Sequence, residues 1–179
     1  MADDLNAAGH TLSLREIAEY HEDAVSSLRS YFGGVHNLER FLGYTLAQRS
    51  EELKLRIDET ALRSMLITLA SIEASFRLDY EFRCRKKLKD SLSRAFRAVY
   101  KTHQRHVALD EDIFEAWKSH VTESRALISE LRTAFRLRHW LAHGRYREPR
   151  LGRQFDFDFV YDLANAVNDD LLKDGKGTR

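Results

Sequence analysis

An all-α fold, a single-domain helical bundle, is what this sequence predicts, and three observations predict it. One proline and eight glycines are all that interrupt 179 residues. Apolar residues recur at i, i+3 and i+4 through most of the chain, the spacing of one helix face. Hydrophobic residues make up 43% and charged residues 32%, the balance of a globular domain with a sizeable core and a busy surface.

Ser13 with Glu16 three residues on is a capping box that opens a first helix. Leu14, Ile17, His21, Val25, Leu28 and Phe32 trace its inner face, and Gly33-Gly34 ends it. His21 reads as a satisfied core or edge histidine and not as a ligand. A second helix is expected from about Asn37 through Leu38, Phe41, Leu42, Leu46 and Arg49. Leu53, Leu55 and Ile57 then alternate at period two, so that segment reads as either extended or irregular. The longest helix is expected to start at Asp58 or Thr60 and reach about Lys89, with the stripe Leu62, Leu66, Leu69, Glu73, Phe76, Tyr80. Asp90 or Ser91 caps the next, with Leu92, Ala95, Phe96 and Val99 inward and Arg94, Arg97 and Lys101 displayed. Asp110 begins a short helix through Ile113 and Trp117, and a further helix runs from about Glu123 to His143. A basic loop from Arg145 to Arg153 carries Pro149. Asp156 or Asp158 caps a last helix with Val160, Leu163, Ala164, Val167 and Leu171 inward. The whole chain, 1–179, reads as one domain, with 1–12 and 173–179 as frayed tails.

Composition excludes several classes. A single cysteine, Cys84, supports neither a disulfide framework nor a cysteine-rich zinc site. No apolar run reaches transmembrane length, and the acidic start MADDL is unlike a signal or transit peptide. A reducing cytoplasm and no membrane contact are therefore expected. Net charge is +1, yet its distribution is uneven. Arg83–Arg105 holds nine Lys/Arg against Asp90 alone, and Arg136–Arg153 holds six Arg against Glu148. Such stretches suggest a localised anion footprint, although the first reads equally well as solvated helix faces. There is no Gly-rich phosphate loop, HExxH, CxxC or GxSxG.

The stretch FRLRHWLAHGRY, Phe135–Tyr146, gathers the unusual features. Leu127, Leu131, Ala134 and Leu141 form an apolar stripe whose series Arg138 completes, placing a guanidinium mid-stripe where it must be paired or functional. Glu73 occupies the same position in its own stripe. The two opposite charges are best explained by each other, as helices packed with Glu73 orienting Arg138, whether for catalysis or as a structural ion pair. His139 and His143, at i, i+4, project from one flank, and Gly144 stands where a helix C-cap is expected. The His pair could open a metal site, but it lacks a third ligand and sits beside Arg138. Two histidines and an arginine suit metal-independent RNA cleavage better, supplying a base, an acid and a phosphate partner.

These residues resemble the HEPN family, all-α dimeric modules of prokaryotic toxins and defence systems, whose hallmark is Arg, a polar residue, a short spacer and His near a helix end. Arg138, His139 and His143 match it. With four to six residues allowed between Arg and His, Arg15/His21, Arg29/His36 and Arg97/His103 fit the pattern too, but there the arginine is not mid-stripe and no capping glycine follows the histidine. SIEASFRLDYEFRCRKKLKDSLSRAFR, with Glu73, is similar to the second long helix of RiboL-PSP-type members, and the two segments cover about a quarter of the chain. The resemblance implies an endoribonuclease toxin acting on RNA as a homodimer with a composite site, partnered by a cognate antitoxin and needing no cofactor or metal. It assigns Arg138 to phosphate binding, His143 to catalysis with His139 assisting, and Glu73 to their support. Arg77, Arg136, Arg145, Tyr146 and Arg147 are the expected RNA contacts. Tyr146 lies three residues past His143, one more than in members whose tyrosine is modified, so that modification is not expected. Members without catalysis act as RNA- or nucleotide-binding or partner-recruiting dimers, which is the alternative function.

Overall fold

The computed structural model describes residues 12–34, 39–103, 106–145, 151–152 and 154–172, and among these there are six α-helices and no strand. The first, α1 (Leu14–Gly33), opens on the expected capping box: Ser13 Oγ accepts from the Glu16 N–H at 3.2 Å and Glu16 Oε2 accepts from the Ser13 N–H at 2.7 Å. It ends at Gly34, whose N–H donates to the Ser30 carbonyl at 2.9 Å.

The central element is α2, Leu46–Lys86, 41 residues in one helix and about 60 Å long at 1.5 Å per residue. It corrects the expectation of two helices with an undecided segment between them. Thr45 and Gln48 form a second capping box, and no Gly or Pro follows until Lys87 adopts a left-handed conformation (φ 51°) and closes the helix. Four acid-before-base pairs at i, i+4 stiffen it: Glu52–Arg56, Glu59–Arg63, Glu73–Arg77 and Asp79–Arg83. Leu53 and Ile57, one turn apart, are half-buried, whereas Leu55 is exposed. The apparent period-two alternation is one helical face plus an outward leucine. Asn37 and Leu38 lie outside the described residues; Glu39–Phe41 form a single 3-10 turn.

Around α2 pack α1, α3 (Ser91–His103), α5 (Arg125–Ala142) and α6 (Phe157–Ala166), with α4 (Glu115–His120) against α3 and α5. The α1 helix runs antiparallel to α2, as His21 meets Ser64 and Gly34 meets Arg49. The core joins Met65, Leu69, Ile72, Phe76 and Tyr80 of α2 to Phe96, Phe114, Trp117, Leu131, Val160 and Val167. Asp90 caps α3 by accepting from the Ser93 N–H at 2.9 Å, and Asp156 caps α6 by accepting from the Phe159 N–H at 2.8 Å. The segment expected as a short helix from Asp110 begins as a π-helical turn, Leu109–Phe114, and becomes α4. That turn drives Phe114 into the core, edge-on to Phe76 at 5.0 Å and to Phe135 at 5.4 Å. Arg97, expected on the surface, is half-buried and donates to the Leu88 carbonyl at 2.7 Å.

His21 is an edge histidine, as expected. Its Nδ1 lies 3.1 Å from Ser64 Oγ and its ring 4.1 Å from Phe157. Burial pushes its titration below the ordinary imidazole range, outweighing the opposite pull of Asp158 and Glu22. The unfolded chain therefore takes up this proton first. The stability involved is present above roughly pH 6.5 and is lost as pH falls toward the folded-state pKa. The thermal midpoint should drop on acidification, and His21→Gln, which keeps a polar group at Ser64 without titrating, should flatten that drop. A slope identical in both proteins would show that His21 does not sense pH.

Candidate functional site

The C-terminal turns of α5 carry the candidate site. Ile128, Leu131, Ala134, Leu137 and Leu141 are its buried residues, so the seam runs beside Arg138 and not through it. Likewise Met65, Leu69, Ile72, Phe76 and Tyr80 form the seam of α2, and Glu73 flanks it. Both charges thus sit at the seam's rim, correcting the expected mid-stripe placement. The reason is that buried polar residues, Ser64, Thr68, Asp79 and Arg83, occupy seam positions of α2 and mask its phase in the sequence.

The inferred pairing is present. Glu73 Oε2 lies 3.0 Å from an Arg138 terminal nitrogen. The other carboxylate oxygen, Oε1, accepts from Arg77 Nε and Nη2 at 3.0 and 2.8 Å, and Arg77 also donates to the Val107 carbonyl at 3.1 Å. One carboxylate therefore serves two guanidiniums, and the trio keeps one positive charge in excess. The Arg138 side chain is 33% exposed, so an anion from solvent can reach it. Its Nε is buried without a hydrogen-bond partner among the described residues.

His139 and His143 are both exposed, with ring centroids 4.2 Å apart. His143 is the C-cap, its N–H bonded to the His139 carbonyl at 3.1 Å. Gly144 follows at φ +85°, and the Arg145 N–H returns to the Trp140 carbonyl at 3.3 Å. This is a Schellman-type stop, in which a left-handed glycine lets the chain satisfy a last-turn carbonyl. The Arg145 guanidinium then grips Glu59 of α2 with bonds of 2.5 and 3.2 Å and lies over the Trp140 ring, 5.9 Å from its centroid. Hydrogen bonds from Arg145 hold the Glu59 carboxyl below its ordinary range despite partial burial. Glu59 and Trp140 are thus site-positioning residues that sequence reasoning missed. The Glu59–Arg145 contact spans 86 residues and has no local signature.

One chain brings Glu73, Arg77 and Arg138 together and pairs His139 with His143. It turns Arg138 toward α2, about 100–140° around α5 from the two histidines. Arg136 is exposed and bonds only Thr133 Oγ1, at 3.1 Å, among the described residues. Arg77 and Arg145 are held by carboxylates, and Tyr146 and Arg147, with most of the basic loop, lie outside the described residues. Two of the competing Arg–His pairs are engaged elsewhere, His21 on Ser64, His103 on Asp112 at 2.9 Å and Arg97 on Leu88, and His36 of the third lies outside the described residues. Among the described residues no group of three His, Cys, Asp or Glu is placed to hold a metal ion, and no helix is long and apolar enough to cross a membrane. No family model, no curated protein and no solved structure matches the chain.

Proposed function

We propose that the chain is a metal-independent endoribonuclease of HEPN type, a homodimer acting as the toxin of a toxin–antitoxin or phage-defence locus. The observation that carries the reading is a guanidinium anchored on Glu73, with charge to spare, on the same last turns of α5 as an exposed imidazole pair that projects from another face of the helix. The ribose 2′-hydroxyl attacks the adjacent phosphorus and gives up its proton to one imidazole. The 5′-oxygen leaves with a proton from another, and Arg138 balances the charge growing on the phosphoryl oxygens. Imidazole suits both proton transfers near neutral pH. His143 is the principal catalytic group, His139 assists it, Glu73 orients Arg138, and Arg136 binds flanking phosphates.

A two-fold axis beside α5 would place the arginine of one protomer opposite the histidines of the other. Leu55, exposed one turn before Glu59 on α2, offers apolar area to such a partner. Purified protein is expected to cut RNA in excess chelator, leaving a 2′,3′-cyclic phosphate and a 5′-hydroxyl. Deoxyribose at the position upstream of the cut should abolish cleavage. A requirement for divalent metal, or a 5′-phosphate product, would overturn the mechanism. RNA binding without cleavage would favour the catalytically silent dimer.

A further inference from the structure

We propose that the cleft between the C-terminal turns of α2 and the last turns of α3 binds a nucleotide, its base on aromatic walls and its phosphate on the cationic rim. The cleft is independent of the ribonuclease reading. It begins at Leu78, about 28 Å along the α2 axis from Glu59, which marks the level of the α5 terminus.

Leu78, Glu81, Phe82 and Arg85 of α2 face Arg97, Tyr100 and Lys101 of α3, with Cys84 and Lys87 completing the lining. Both sets recur at i, i+3 and i+4, so each is one helix face. The open cleft has a volume of about 570 Å³, in the range of small-molecule sites. Its walls are apolar yet uncovered: Leu78 is 62% and Tyr100 42% exposed. Tyr100 is backed by buried Tyr80, with ring centroids 6.4 Å apart, which gives it the support a stacking platform needs. The Cys84 thiol adds an uncharged wall, since burial, with help from Asp79 and Glu81, pushes its pKa up against the pull of Arg97.

The rim carries Arg85, Lys87, Arg97 and Lys101 against Glu81 alone. Four other arginines of α2, Arg56, Arg63, Arg77 and Arg83, pair with acids one turn away, but among the described residues none of these four rim cations has a carboxylate partner. Arg97 is held through one terminal nitrogen by the Leu88 carbonyl, which leaves the rest of its planar fork for an anion. Unpaired cations crowded around apolar walls repel one another, and an anionic ligand removes that penalty. Flat aromatic walls beside guanidinium and ammonium groups are the combination that takes a base and its phosphate.

The source can be a free nucleotide or a nucleotide within an RNA strand, and calorimetric titration of the full chain separates them. AMP and UMP should bind, with adenosine and inorganic phosphate each at least about tenfold weaker, since each supplies half of the recognition. Lys101→Glu and Tyr100→Ala should each weaken AMP binding about tenfold or more. Both positions are on the surface, and an unchanged circular dichroism spectrum checks the fold. A short RNA oligomer that displaces AMP and binds more tightly identifies the strand as the source; AMP binding more tightly than the oligomer identifies the free nucleotide. AMP binding should persist in His143→Ala, so failure of the catalytic reading leaves this one standing. Inorganic phosphate binding as well as AMP, indifference to both substitutions, or uptake of a fatty acid or an acidic peptide in place of AMP would overturn it.

Discussion

Arg83→Ala is expected to lower the unfolding free energy by about 3–5 kcal/mol, a large share of the roughly 5–15 kcal/mol available to a domain of this kind. Asp79 and Arg83 are 3% and 6% exposed, the most deeply buried ion pair among the described residues. Arg83 Nε donates to both Asp79 oxygens, at 2.9 and 2.8 Å. A terminal nitrogen reaches Ser93 Oγ and the Asp90 carboxylate, each at 3.5 Å, and the guanidinium lies over the Trp117 ring, 5.4 Å from its centroid. One side chain thus ties α2 to α3 and α4. Truncating it removes the counter-charge from a buried carboxylate and opens a void beside Trp117. Replacing both partners, as Asp79→Leu with Arg83→Met, removes the charges together and keeps the volume, so it should recover most of the loss. Urea unfolding of the single and double variants measures this directly. A loss below about 1 kcal/mol for Arg83→Ala would place the pair among ordinary surface bridges.

That pair sharpens the reading of the other one. Glu73–Arg138 was legible in the sequence because each charge interrupts an apolar series. Asp79 and Arg83 carry no such mark in the sequence, because Tyr80 supplies an apolar residue at the neighbouring position of the stripe. The structure reverses the burial: Asp79–Arg83 lies inside and Glu73–Arg138 at the rim, with a third of the arginine exposed. A pair at the rim contributes less to stability than a buried one, which agrees with the proposed role of Glu73 in orienting Arg138.

What the sequence made readable was local chemistry. Ser13–Glu16, Asp90, Asp156 and Gly144 act at the ends assigned to them because caps are decided within four residues. The unity of α2 was not readable, since its first turns bury only one face and Leu55 points outward. Glu59–Arg145 joins residues with no patterned relation. The basic stretch from Arg83 was visible as charge, but only the packing of α3 against α2 turned it into a cleft.

His143→Ala should reduce RNA cleavage on the order of 10²–10⁴-fold through loss of proton transfer, and it should abolish growth arrest on expression. The side chain is exposed at a helix C-cap, so the fold and the unfolding midpoint should hold, which separates chemistry from stability. Arg138→Lys should be comparably severe: an ammonium keeps the charge and the Glu73 contact but cannot present two parallel donors to a phosphate. Glu73→Gln acts one step further back, releasing both Arg77 and Arg138, and its signature should be weaker RNA binding at retained stability. The decisive measurement mixes two inactive proteins. Arg138→Ala and His143→Ala subunits, unfolded and refolded together, form heterodimers in which one protomer keeps its arginine and the other its histidine. If Arg138 and His143 act on a phosphate from opposite protomers, one intact combination reappears and cleavage returns. If both groups must come from one chain, every heterodimer is dead, and the absence of recovery would sink the two-fold composite site while leaving the identity of the catalytic groups intact.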